Sequence, residues 1–204
     1  MISILNYGIG NINAFANIFS KLNVPFNIVN NKSDLSKAHK ILFPGVGSFD
    51  NAINLLNISG LRDTLEHLVI QKEIPILGVC VGMQMFAESS EEGILGGLGW
   101  LNAKVKKIQS NSSLIVPHMG WNNIEKCKQH YLLDGLSNDA YFYFLHSYYF
   151  DSYEIDDIVS KTNYGNLFDS IVCKKNIIGV QFHPEKSHNF GLQLLNNFAN
   201  YTAC

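Results

Sequence analysis

The segment Gly78-Val79-Cys80-Val81-Gly82-Met83-Gln84 sets a cysteine between two glycines, directly after the apolar run Pro75-Ile76-Leu77. A G-x-C-x-G turn at a strand end has the form of a nucleophile elbow, in which flanking glycines let the backbone turn sharply and lift the central side chain above the sheet edge. A helix expected from near Val81, carrying Met83 to Ala87, would point its N–H groups and dipole at the sulfur and favour thiolate. A buried structural cysteine before a helix is the plainer alternative, so Cys80 needs partners before it can be given chemistry.

Acyl transfer to a thiolate requires a base that returns a proton to the leaving group, and a third group that holds the base in one tautomer. The run Gln181-Phe182-His183-Pro184-Glu185-Lys186 offers both. With His183 at a strand end and Pro184 fixing an extended turn, the Glu185 carboxylate can reach back to the imidazole Nδ1. A third strand-end motif, Phe43-Pro44-Gly45-Val46-Gly47-Ser48-Phe49, has glycines around Val46 that allow unusual backbone angles. Its N–H groups could then form an oxyanion hole together with the Val81 N–H.

Other chemistries fit less well. Gly8-Ile9-Gly10-Asn11-Ile12-Asn13 begins like a dinucleotide fingerprint, but Asn13 stands where the third glycine belongs, and no phosphate-binding G-x-x-x-x-G-K-[ST] occurs. Cys80, His183, Glu185 and His118 lack clustered ligand spacing, so no metal and no cofactor is expected. Glu91-Glu92 lie in a polar Ser-Ser-Glu-Glu-Gly turn, from which one carboxylate could hold a substrate ammonium.

Elements able to position these residues are visible in the periodicity. Strands are expected at Ile2–Leu5, 26–29, 41–43 and 74–79. Ile12, Phe15, Ala16 and Phe19 mark one helix, and Leu61, Leu65, Leu68 and Val69 another. This alternation implies βαβ units on a parallel sheet covered by helices on both faces, whose C-terminal edge is where sites assemble. From Gly93 onward, segments 103–108, 114–116, 141–150, 158–162 and 171–174 read as antiparallel strands beside that sheet. A strand over 177–182 and a helix with Leu192, Leu195, Phe198 and Ala199 close the chain.

The 204 residues, 47% hydrophobic, suit a single domain over 1–204. A formal charge of −2 with scattered lysines offers no footprint for nucleic acid or a membrane surface. With no apolar run near the ~20 residues of a span and no signal-like start, a cytoplasmic protein is expected. Four separated cysteines fit a reducing compartment, and Cys127, Cys173 and Cys204 are expected to be non-catalytic.

PGVGSF, GVCVGMQ followed by SSEEG, PHMGWN, FLHSY and FHPEKS stand in the order and spacing of the class I, triad-type glutamine amidotransferases. The chain resembles this family from NYGIGN at 6–11 to its last helix. PHMGWN and FLHSY resemble more narrowly the glutaminase subunits of imidazole glycerol phosphate synthases. The resemblance implies a flavodoxin-like, open, mostly parallel α/β sheet with flanking helices and an antiparallel extension. It implies that Cys80 attacks the glutamine amide, His183 transfers protons and Glu185 orients it. Val46 and Val81 would be the oxyanion donors. Gly45, Gly47, Gln84, Glu92 and Ser147 would form the glutamine pocket. Asn11, His118 and Lys186 would face a (β/α)8-barrel cyclase subunit that receives ammonia in a heterodimer and forms imidazole glycerol phosphate and an aminoimidazole carboxamide ribonucleotide. Details such as GVCVGMQM and FHPEKSHNFGLQLL also resemble second copies of this subunit that feed surface-polysaccharide aminosugar synthesis, with the same triad and another acceptor. A stand-alone cysteine hydrolase and an inactive regulatory module are the remaining readings.

Overall fold

The computed structural model describes residues 1–109 and 114–201; Cys204 lies outside them. Elements alternate from the start: β1 (Ile2–Leu5), α1 (Ile12–Lys21), β2 (Phe26–Val29), α2 (Lys32–Leu35), β3 (Ile41–Gly45), α3 (Phe49–Ser59), α4 (Arg62–Glu66, continued by a wider π-type turn), β4 (Ile76–Cys80) and α5 (Val81–Gln84). Short strands follow: β5 (Ser89–Ser90), β6 (Ala103–Lys107), β7 (His118–Asn123), β8 (Glu125–Lys126), β9 (Tyr141–His146) and β10 (Tyr148–Ser152). The chain ends with β11 (Ile158–Tyr164), β12 (Asn166–Lys174), β13 (Ile177–Val180) and α6 (His188–Asn200).

The main sheet runs β2-β1-β3-β4-β13-β12-β11-β8. Its first five strands pair in parallel, and β12, β11 and β8 add an antiparallel extension. This is the expected α/β fold, with the parallel strands in the flavodoxin-type order. Every residue of β1, β3, β4 and β13 is buried, because central parallel strands are covered on both faces and read as nearly continuous apolar runs; the polar exception, Ser3, donates its hydroxyl to Asn27 Oδ1 at 2.9 Å. Edge strand β2 is mostly half-buried.

Differences from the sequence reading have physical causes. Helix α3 was not expected, although Phe49, Ala52, Ile53 and Leu56 recur at helical spacing and are buried, and Gly60 ends the helix at φ +70°. The single strand expected over 141–150 is two, because the chain leaves β9, paired with β7, and enters β10, paired with β6, bending at Ser147. No strand forms at 114–116 beyond one bridging position at Leu114; the strand there is β7. Helix α5 is one turn, Val81–Gln84, where a helix to Ala87 was expected.

Backbone contact around the elbow is unusually close. A Cβ on Gly82 would lie 2.1 Å from the Phe43 carbonyl oxygen, and one on Gly45 would lie 2.3 Å from the Gly82 nitrogen. Both obstacles are main chain in buried elements and cannot swing away. Gly82→Ala is therefore expected to lower stability by about 1–3 kcal/mol through overpacking; an unchanged denaturation midpoint would contradict this packing.

Candidate active site

The register explains how the site assembles. Gly45 of β3 stands opposite Cys80, and Val180 of β13 stands opposite Val79, so the chain just past Val180 comes alongside the elbow. Cys80 itself takes the strained turn, at φ 55° and ψ −113°. Gly78 and Gly82 do not adopt positive φ. They leave room, since a Cβ at 78 would meet the Phe86 ring at 2.5 Å. The flanking glycines thus serve close packing, which corrects the expectation that they supply the bend. With α5 only one turn long, the support it gives the sulfur is local N–H groups more than a helix dipole.

His183 follows β13. Its backbone N–H donates to Tyr143 O at 2.8 Å. Ser187 Oγ donates to His183 O at 2.6 Å and accepts from Tyr143 N at 3.0 Å. The histidine main chain is thereby clamped between β9 and the turn before α6. Its Nδ1 lies 2.9 Å from Glu185 Oε1, and both side chains are buried. A carboxylate at Nδ1 fixes that proton and leaves Nε2 for the sulfur. Burial alone would lower the His183 pKa. Negative charge and a hydrogen bond from Cys80, then the bond and charge of Glu185, overcome it and raise the pKa to about 10.

A cleft of about 500 Å³ opens over Cys80 and His183, lined also by Val46, Gly47, Val81, Gln84, Glu92, Ser147 and Lys186. Gly47, at φ +87° with open space around it, carries the bend of the P-G-V-G loop, whereas Gly45 lies under it against Gly82. Glu92 Oε2 accepts from Phe49 N at 2.8 Å, and both Asp50 oxygens accept from Ile94 and Leu95, which pins the acidic turn to the start of α3. Gln84 is 2% exposed and donates from Nε2 to Tyr148 O at 2.9 Å and Gln181 Oε1 at 3.2 Å. Both amide hydrogens are then used, so Oε1 is the atom it can offer the cleft.

Asn11 caps α1 by position and is exposed, and Gly10 beside it packs on Pro44 of the P-G-V-G loop. Lys186 is exposed, with its ammonium 5.5 Å from the centre of the Tyr143 ring. His118, expected on a partner-facing surface, is 2% exposed. Alternation along β7 turns it inward, stacked between Tyr164 and Phe144, while its neighbours Met119 and Trp121 are exposed.

Several residues were not anticipated. His146 and Tyr148 line the cleft, in the FLHSY motif, where only Ser147 was singled out. Gln181 is fully buried beside Cys80; a glutamine closing an otherwise apolar run was its signal. Tyr7 donates its hydroxyl to Pro44 O at 3.0 Å, tying β1 to the P-G-V-G loop. Burial, and then the charge at Cys80, push its pKa up.

A family model described as glutamine amidotransferase class-I matches residues 3–201. The chain is a member of the class I glutamine amidotransferase family. It is 51% identical over 203 residues to the imidazole glycerol phosphate synthase subunit HisH of Leptospira interrogans, covering 98% of this chain and 100% of that protein. It is 48% identical to the subunit of that name from Bdellovibrio bacteriovorus (98% and 99% covered) and 41% identical to HisH 2 of Pseudomonas aeruginosa (97% and 98%). Among solved structures, a protein described as glutamine amidotransferase superposes with a TM-score of 0.73 at 18% identity, covering 97% of this chain and 98% of that one. PurLQS from Thermotoga maritima does so with 0.71 at 15%, covering 98% and 97%. At such identities these two likenesses speak for the fold.

Two outcomes follow from the electrostatics. In Glu185→Gln the His183 pKa is expected to fall from about 10 towards the ordinary 6.5, as read by NMR titration of the imidazole; an unmoved titration would contradict the ion pair. His118 and His146 are buried neutral, with pKa values pushed down to about 4 and about 3 from 6.5, chiefly by burial. The unfolded chain then binds more protons below pH 6.5, so stability present above 6.5 is lost as pH falls. The expected slope is up to about 1.4 kcal/mol per pH unit per histidine, checked by denaturation at pH 7 and pH 5; equal midpoints would contradict it.

Proposed function

We propose that the chain, as one amidotransferase domain over residues 1–204, is the glutaminase subunit of an imidazole glycerol phosphate synthase. On this reading it hydrolyses glutamine through a thioester on Cys80 and passes ammonia to a cyclase subunit. The observation that carries the chemistry is the buried alignment of Cys80, His183 and Glu185 under one cleft.

The Cys80 thiolate attacks the side-chain amide carbon of glutamine. The S–C bond forms as the carbonyl pair moves to oxygen, where Val46 and Val81 N–H groups receive the charge. As the oxyanion collapses, the C–N bond breaks and imidazolium His183 gives its Nε2 proton to the departing amine, so that ammonia leaves. Neutral His183 then takes a proton from water, the hydroxide adds to the thioester, and glutamate departs with return of the thiolate. Glu185 keeps Nε2, and not Nδ1, turned to the reaction throughout. Gln84 Oε1 and the second Glu92 oxygen are acceptors on the cleft wall, which suits the α-ammonium of glutamine.

The subunit reading is supported by near-full-length identities of 48–51% to proteins named as HisH. A partner surface is also at hand. Met119 and Trp121 on β7 and Tyr141 and Leu145 on β9 are between 38% and 66% exposed and share one face beside the cleft, continuing to Val46 and Lys186. A (β/α)8-barrel cyclase seated there would shield ammonia from protonation in bulk water.

The test is glutamate release by the purified chain, alone and with the histidine-pathway cyclase and its nucleotide. Stimulation by the loaded cyclase that disappears in Cys80→Ala, which is expected to lower kcat by about 10³-fold or more, is the predicted outcome. Absence of stimulation, with Cys80 still labelled by a glutamine-analogue electrophile, would move the assignment to another ammonia acceptor, such as an aminosugar synthase.

A further inference from the structure

One carbonyl beside the nucleophile fixes the direction of two hydrogen-bond chains. Tyr148 O lies 2.9 Å from Gln84 Nε2 and 2.9 Å from His146 Nδ1. A carbonyl only accepts, so both neighbours must donate, and this decides the role of every group further along. Because Gln84 donates its other amide hydrogen to Gln181 Oε1 at 3.2 Å, Gln181 turns its own Nε2 to Cys80 Sγ, 4.0 Å away. On the other side, neutral His146 donating through Nδ1 keeps Nε2 as an acceptor for His118 Nδ1–H at 3.0 Å. His118 Nε2 then accepts from Asn122 Nδ2 at 3.3 Å.

The side chains of these chains have little exposure even where they border the cleft: Gln181 is fully buried, Gln84 and His118 are 2% exposed, and His146 is 7% exposed. A reversed member would face donor to donor or acceptor to acceptor among buried groups, at substantial cost. The end of the chain at sulfur is the consequential one. An N–H aimed at Sγ favours thiolate and holds the side chain over the cleft, whereas a flipped amide would set its oxygen against that charge.

We infer that Gln181 is a positioning residue for the nucleophile, its amide N–H holding the Cys80 sulfur, with the direction of that amide set through Gln84 by the Tyr148 carbonyl, which the buried His146, backed by His118, holds in place from its other side. This rests on the reading of Cys80 as nucleophile. It also gives the inward-facing His118 a role next to the exposed Met119 and Trp121, since Asn122, at the start of the chain, lies on the same strand.

The test reads Cys80 alkylation by iodoacetamide against pH, with Cys80-containing peptides resolved by mass spectrometry, together with kcat and KM for glutamine in the presence of the cyclase. Gln181→Met keeps the volume and removes the N–H. It is expected to raise the pH midpoint of alkylation by about one unit and to lower kcat about 10-fold or more, with KM changed less than about 3-fold. His146→Leu should weaken kcat in the same direction, and His146→Asn, which keeps a donor near the Nδ1 position, should recover most of that loss. A folded Gln181→Met with unchanged midpoint and kcat overturns the inference. If that variant does not fold, the His146 pair decides, and equal losses in Leu and Asn overturn it. Glutaminase activity that persists in Cys80→Ala overturns the nucleophile reading instead.

Discussion

The site depends on one strained residue. Cys80 leaves β4 with φ at 55°, a conformation that L-residues with side chains rarely hold, and it keeps that angle because the backbone around it has no alternative place to go. The first turn of α5 is driven down onto β3, where Gly82 rests on the Phe43 carbonyl and Gly45 rests on the Gly82 nitrogen. The apolar run that builds β3 and β4 therefore does more than fill the core: it wedges the elbow open and aims Sγ at the cleft. Strain of this kind persists only where surrounding packing over-determines it, and four buried parallel strands supply that packing.

Around this fixed sulfur the electrostatics are arranged by burial and by pairs. His183 and Glu185 are both withdrawn from water, yet their contact and the charge at Cys80 keep the imidazole protonated well above its usual range. His118 and His146 lie in similar burial but face each other, stacked aromatic rings and a carbonyl, so both stay neutral. Buried histidines of one small region thus take opposite protonation states, and what separates them is whether anionic partners share the burial.

Much of this was legible in the chain. The parallel strands could be read because strands buried on both faces are nearly continuous apolar runs, and the site motifs PGVGSF, GVCVGMQ and FHPEKS because each follows such a run. Helix α3 was equally legible, since Phe49, Ala52, Ile53 and Leu56 repeat at helical spacing, but its first residue also closes the P-G-V-G-S-F motif, which reads as loop. The inward turn of His118 was not legible, because Met119 and Trp121 alternate with His118 and Asn122, a pattern that by itself would turn the apolar pair inward and His118 outward. The bend at Ser147 was hidden for a related reason: the aromatic run Tyr141–Phe150 suits a strand throughout, and only the partners, β7 on one side and β6 on the other, divide it. Gln181 was marked by its polar type after an apolar run, but what it and His146 bond to depends on register and hydrogen-bond direction, which sequence patterns do not set.

The central claim is that the strained elbow makes Cys80, among all the cysteines, the residue that is acylated by glutamine. Acid-quenching the enzyme during turnover and mapping the glutamyl adduct by mass spectrometry tests it most directly. The account predicts a single glutamyl group on the peptide containing Cys80, and none on exposed Cys127 or on Cys173. An adduct on either of those, or turnover with Cys80 unmodified at every quench time in an enzyme that also retains activity as Cys80→Ala, would contradict it.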